Sequence, residues 1–158
     1  GAAQAFLTTL PQRHDGYRLD ISLEAEQLLG SIAAQAESGL LLFFDYGKTW
    51  TELIDHSPAG TARAYKKHEA TRELLDSPGE IDLTCHVCWD RLEDVLKSAG
   101  WTTTLESQEA FFVKRATAAV EKIIMQPGTG IDTRKQTLKE LIYPGHMGQS
   151  FQVLWATR

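Results

Sequence analysis

Hydrophobic and polar positions along this chain follow two rhythms. An apolar residue recurs every three or four positions through Leu23, Leu28, Leu29, Ile32, Ala33 and Ala36, which predicts a helix with one inward stripe. Ser22 is placed to cap that helix and Gly39 to end it. The same spacing predicts a helix over 89–98, with Leu92, Val95, Leu96 and Ala99 on one face and Gly100 as its stop. A third stripe, Phe111, Phe112, Ala116, Ala119, Val120 and Ile123, predicts a helix over 108–122, broken by Gln126-Pro127-Gly128-Thr129-Gly130. A further helix is predicted over 133–142, ended by Tyr143-Pro144-Gly145, and a short one over 2–10, stopped by Pro11.

The second rhythm belongs to strands. Residues 17–21 alternate apolar and polar, the pattern of a half-buried strand. A short extended piece is predicted over 81–84, and the β-rich stretches 101–105 and 151–157 predict two more strands. Gly39-Leu40-Leu41-Leu42-Phe43-Phe44-Asp45-Tyr46-Gly47 is different: five apolar residues in a row between glycines read as a strand buried on both faces, as in a parallel sheet. Asp45 then falls at the carboxyl end of that strand, where open α/β sheets bind ligands. Residues 48–79 carry weak periodicity and read as a long functional loop bearing Trp50, Arg63, Tyr65 and His68. The pattern as a whole predicts a single α/β domain over 1–158.

The 158 residues suffice for one domain with a real core, and a net charge of -5 with no concentrated basic stripe argues against a nucleic-acid partner. The longest apolar run, five residues, is far short of the ~20 that a membrane helix needs. Two cysteines three apart are too few and too close for a disulfide framework, which points to a reducing compartment and a cytoplasmic location. The chain opens on Gly1-Ala2-Ala3 without an initiator methionine, which fits a start inside a longer protein or a residue left by a cleaved tag.

Cys85-His86-Val87-Cys88, between a short strand and a helix, has the spacing of a thioredoxin-like pair. The order of elements around it is wrong for that fold, and His14, His56, His68 and His146 offer no second pair of zinc ligands at suitable spacing. Two small buried thiols, without disulfide-reductase activity and without a metal, are the expectation.

Four blocks carry a resemblance: residues 39–47 with their Asp-Tyr-Gly end, 60–68, 78–87 and 147–151. Together they resemble the C-terminal half of the MidA family, and Ser107-Gln108 followed by Phe111-Phe112 is similar to another of its blocks. The resemblance runs from about Tyr17 to Thr157 and departs from the family at Cys85 and at Cys88-Trp89. It implies an α/β fold corresponding to the C-terminal half of a Rossmann-like methyltransferase, a mixed sheet with helices on its faces. It also implies an S-adenosylmethionine-dependent arginine methyltransferase related to the complex I assembly enzymes. The glycine-rich cofactor turn belongs to an N-terminal half that this chain lacks, since Gly128-Thr129-Gly130 follows a helix. S-adenosylmethionine is therefore the cofactor expected of the full-length enzyme and not of this chain alone, which is expected to be inactive by itself. The alternative is a non-enzymatic protein-binding or assembly module of the same family.

Under the resemblance the acceptor is the arginine side chain of a protein substrate. Carboxylates fix the plane of a guanidinium through paired hydrogen bonds, and a histidine takes a proton near neutral pH. Asp45 and Asp82 are the candidates for orienting the acceptor, and His68 and His86 are the candidate bases. Tyr46, Gly47, Arg63, Tyr65 and Thr84 are candidates for substrate binding. If the missing half supplies the neighbour of 40–44, this chain exposes an apolar strand edge, and either a homodimer through that edge or cover by the chain's own N-terminal segment is expected.

Overall fold

A computed structural model describes residues 10, 15–67, 69–71, 73–127 and 132–158. Its main sheet has three strands, β1 (Leu40–Asp45), β7 (Thr102–Ser107) and β8 (Gln152–Thr157), in the order β1-β8-β7. The last strand of the chain is thus the middle one. β8 runs antiparallel to both neighbours, so β1 and β7 are parallel to each other without touching. Val153, Leu154 and Ala156 of β8 are fully buried, because a central strand that is covered on both faces has no polar side.

The expectation that 40–44 is a parallel strand buried on both faces is therefore corrected. Burial alternates along β1, with Leu40, Leu42 and Phe44 exposed, and the strand lies at the edge of the described sheet, paired antiparallel with β8. Leu41 and Phe43 point the other way and pack on the main core, which gathers Leu29, Ala33, Trp89, Leu96, Trp101, Leu154 and Ala156. Gly39 N–H donates to the Arg158 carbonyl at 2.9 Å and sets the register at one end of the ladder.

Two helices cover the core face: α1 (Leu23–Gln35) and, after the intervening α2 (Trp50–His56), α3 (Trp89–Ser98). Their stripes meet the sheet through Leu29, Ala33 and Leu96, and Trp101 locks them by donating its indole N–H to the Ala33 carbonyl at 3.2 Å. Two of the expected inward residues of α1 remain outside, Leu28 at 63% and Ile32 at 40% exposure. Ser22 occupies the cap position without a side-chain hydrogen bond, and the helix ends at Gln35 ahead of Gly39. On the opposite face lie α4 (Gln108–Arg115) and α5 (Thr117–Met125), where one helix over 108–122 was predicted. The break at Ala116 comes with a Thr117 hydroxyl donating back to the Val113 carbonyl, a bond that bends helices. α4 brings Phe111 and Phe112 to within 5.3 and 5.8 Å of the Phe44 ring.

The stretch 48–79 is not a structureless loop. It holds α2, closed by a capping box between Thr49 and Glu52, and the strands β3 (Arg63–Lys66) and β4 (Glu69–Thr71). With β5 (Asp82–Thr84) these make a small antiparallel sheet, β4-β3-β5. The sequence hides it because each strand is only three or four residues long, too short to show a period. Two-residue strands β2 (Gly47–Lys48) and β6 (Val87–Cys88) pair in parallel just before α2 and α3. Residues 17–21 form no strand; a single bridge joins Arg18 to Ala59. The C-terminal part adds α6 (Thr133–Ile142) and α7 (Met147–Ser150) ahead of β8. The helix predicted over 2–10 lies outside the described residues except at Leu10, as does most of Gln126–Gly130 beyond Pro127. Among the described residues no helix is long and apolar enough to cross a membrane.

Candidate functional site

The site is built on the turn that follows β1. Asp45 ends the strand, and its Oδ1 accepts the N–H of Tyr46 at 2.8 Å, which holds the carboxylate over the turn. Tyr46 then offers its carbonyl to the N–H of Val87 at 3.1 Å, and Gly47 begins the parallel pairing with Val87. Gly47 is demanded by its surroundings: a methyl there would lie 2.6 Å from the Val87 carbonyl oxygen and 2.8 Å from Trp89 Cδ1, and closer still to Trp89 Nε1. Only glycine lets the fully buried indole approach the turn so closely.

Around this turn the Tyr46 ring is the hub. It meets His86 edge-on at 5.4 Å and Phe151 edge-on at 5.5 Å. His86 is held by its backbone N–H, which donates to Thr61 Oγ1 at 3.1 Å. Thr61 is held in turn by Asp20, whose Oδ2 accepts the N–H groups of Thr61 and Ala62 at 2.5 and 2.8 Å. Burial pushes the His86 imidazole below the ordinary histidine range, and Lys48 and Arg63 add to that, against the opposing pull of Asp45 and Glu52. The ring is thus neutral at pH 7 and able to accept a proton, and its Nδ1 is buried without a hydrogen-bond partner among the described residues.

Of the residues selected from the sequence, Asp45, Tyr46, Gly47 and His86 are brought together here, and Arg63 lies near enough to act on His86 electrostatically. Tyr65 and Asp82 face each other in the β3–β5 ladder, next to the pair Arg63 and Thr84. Both are exposed, and no hydrogen bond links either to Asp45 or His86. His68 lies outside the described residues. Thr61, Asp20, Phe151 and Trp89 were missed. Gly60 was the one local sign of a clamped turn at Thr61: it stands at φ +73, and a methyl there would clash with the side chains of Asp20 and Arg18.

The two thiols are not equivalent. Cys88 is buried as expected, whereas Cys85 is exposed, because β5 ends at Thr84 and releases it toward solvent. Burial pushes the Cys88 thiol up to about 11, and burial with the negative charge of Asp20 and Asp45 raises Cys85 as well. Neither is an activated thiolate. At pH 7 an alkylating reagent is expected to label Cys85 slowly and Cys88 only once the chain is unfolded; peptide mapping after timed labelling checks this, and fast labelling of Cys88 in the native state would contradict it. Among the described residues no group of three His, Cys, Asp or Glu side chains is placed to hold a metal ion.

Two solved structures share this fold. An uncharacterized ACR superfamily protein from Burkholderia thailandensis superimposes with a TM-score of 0.85 at 22% identity, over 99% of this chain and 43% of its own. A superfamily member from the same organism, bound to S-adenosyl-homocysteine, superimposes with a TM-score of 0.80 at 22% identity, over 100% of this chain and 41% of its own. The chain thus spans less than half the length of either. No curated protein matches it at a significant level. A family model described as "Putative S-adenosyl-L-methionine-dependent methyltransferase" matches residues 2–107, well over half of the chain. The chain belongs to this methyltransferase family.

The described residues hold no glycine-rich turn at the start of a helix that follows a strand. A nucleoside cofactor is cradled by a glycine-rich turn between a strand and a helix. Here the helices that follow strands open on Thr49, Cys88 and Ser107, with no glycine cluster at any of them.

Proposed function

We propose that this chain is the acceptor-binding part of an S-adenosylmethionine-dependent protein arginine methyltransferase and does not transfer methyl groups alone. The observation that carries the reading is the coincidence of two features on one strand. β1 ends in the Asp45–Tyr46–His86 site, and among the described residues the same strand has an unpaired edge with apolar side chains left open on both sides. Leu40 (62% exposed) and Leu42 point toward α4, while Leu28, Ile32, Phe43 and Trp89 line a groove of about 430 Å³ beside the α1 face. An edge of this kind belongs inside a larger sheet, and the length by which the solved relatives exceed this chain gives room for its continuation. The cofactor half would pair there and bring the methyl donor to the carboxyl end of β1.

In this reading Asp45 orients the guanidinium, Tyr46 walls the site, and His86 takes the proton that the nitrogen loses on methylation. Asp82, Tyr65, Arg63, Thr84 and His68 then belong to the surface that receives the substrate protein. The finer kinship, to the MidA branch with its complex I assembly members, is part of the proposal and rests on the blocks at 39–47, 60–68, 78–87 and 147–151. Without its other half the chain would shield the β1 edge by pairing with a second copy.

Calorimetric titration with S-adenosylmethionine is expected to show no saturable binding to this chain, whereas the chain joined to a cofactor-bearing N-terminal half binds it and methylates arginine. Sedimentation is expected to show a dimer that Leu42→Lys dissociates. Micromolar binding by the chain alone would overturn the division of labour, and a concentration-independent monomer would overturn the pairing of edges.

A further inference from the structure

Among the described residues three buried side-chain polar atoms have no hydrogen-bond partner: His86 Nδ1, Trp89 Nε1 and Gln152 Oε1. They come from different parts of the chain, yet each belongs to a side chain set against the same three residues. His86 lies on the Tyr46 ring, the Trp89 indole lies against Gly47, and Gln152 stands directly opposite Asp45 in the β1–β8 ladder. Directly opposed residues of an antiparallel pair project from the same face of the sheet, so the Gln152 amide is on the Asp45 side. That side also carries Phe43 and Trp89. Buried polar groups are nearly always paired, and an orphan calls for an explanation. Three of them on one turn mark a place that something else completes.

The chemistry of the set says what that is. The Asp45 carboxylate has spent Oδ1 on the Tyr46 N–H, and among the described residues no hydrogen bond reaches Oδ2. The neutral His86 ring offers one lone pair, and Gln152 offers its carbonyl oxygen. We infer that Gln152 is a further substrate-binding residue, and that with Asp45 and His86 it forms a cradle of acceptors for a planar, N–H-rich cation. A guanidinium spreads five N–H donors in a plane and satisfies acceptors on several sides, whereas an ammonium is a point charge on a flexible stem. Trp89 Nε1–H, the one donor of the three, sits at the floor of the turn and reports on it. The inference rests on the methyltransferase reading for the fate of the bound cation, and on the geometry alone for its binding.

The test is a titration of the ¹⁵N-labelled chain with N-acetyl-arginine methylamide, followed by proton–nitrogen correlation spectra. The Trp89 indole and the Gln152 amide signals are expected to shift saturably, while the Trp101 indole, which donates to Ala33, stays in place. N-acetyl-lysine methylamide is expected to bind about tenfold more weakly, and Gln152→Met, which keeps the shape and removes the acceptor, to weaken the arginine probe by about tenfold. Gln152→Glu, which adds charge to the acceptor, should restore it. An unmoved Trp101 signal certifies that each variant is folded; if Gln152→Met is not, Gln152→Asn and Asp45→Asn decide by the same loss. Arginine binding that Gln152→Met leaves unchanged, or no shift at Trp89, overturns the inference. In the enzyme completed with its cofactor half the two readings separate. Probe binding without methyl transfer removes the methyltransferase reading alone, and arginine methylation with KM unchanged in Gln152→Met removes the Gln152 assignment alone.

Discussion

Replacing Gly47 by alanine is expected to destabilise the domain by about 3 kcal/mol, the upper part of the range for forcing an extra methyl into a packed interior. The methyl has nowhere to go. Two of its nearest neighbours belong to the Trp89 ring, which is 1% exposed, and the third is the backbone carbonyl of Val87, so no flexible side-chain end can give way. Relief would require β2 to part from β6 or the indole to leave the core. Gly30 supplies the control. It sits inside α1 with only Val95 Cγ1 near, at 3.6 Å, so Gly30→Ala should stabilise by about 0.5–1 kcal/mol through the entropy of the unfolded chain. Urea midpoints of both variants at unchanged slope give the comparison, and a neutral Gly47→Ala would mean that the turn is looser than the packing implies.

The second large effect is expected at His86. In the enzyme completed with its cofactor half, His86→Gln should lower kcat by about 10²–10⁴, the usual worth of a positioned base, with a smaller change in KM. The pH profile gives the sharper reading. The imidazole must be neutral to take a proton, and burial together with Lys48 and Arg63 holds it below its ordinary value of 6.5. Activity should therefore persist at pH 6.5 and fall only as the pH drops below that, and the acid limb should disappear in His86→Gln. Lys48→Ala removes one of the charges that depress the imidazole and should move the limb toward higher pH. A limb at or above 6.5 that survives His86→Gln would assign the proton to another group.

Much of this molecule was legible along the chain. The spacing of Leu92, Val95, Leu96 and Ala99 yields α3 with its bounds, and the β-rich run before Arg158 yields β8, because both are long enough for a local period to show. Asp45, Tyr46 and Gly47 could be picked out because the end of a strong apolar run is a position with meaning of its own, and His86 through the block 78–87 that carries the family resemblance. The partners of that turn could not. Thr61 reaches His86 across 25 residues, and Asp20 reaches Thr61 across 41. Neither Thr nor Asp carries a local mark of what it will bind.

What the sequence by itself determined is the longer periodic elements, α1, α3, α6, β7 and β8, the methyltransferase kinship and the chemical types at the end of β1. Tertiary structure decided which neighbour β1 takes, which of its faces is covered, and which polar groups stay unpaired. The run 40–44 shows why. Five apolar residues state that burial is wanted, but whether it comes from a strand, a helix or a second polypeptide depends on long-range pairing that no local pattern encodes. Here β8 covers one edge of β1, α1 and α4 cover parts of its faces, and among the described residues nothing pairs with the remaining edge beside Asp45.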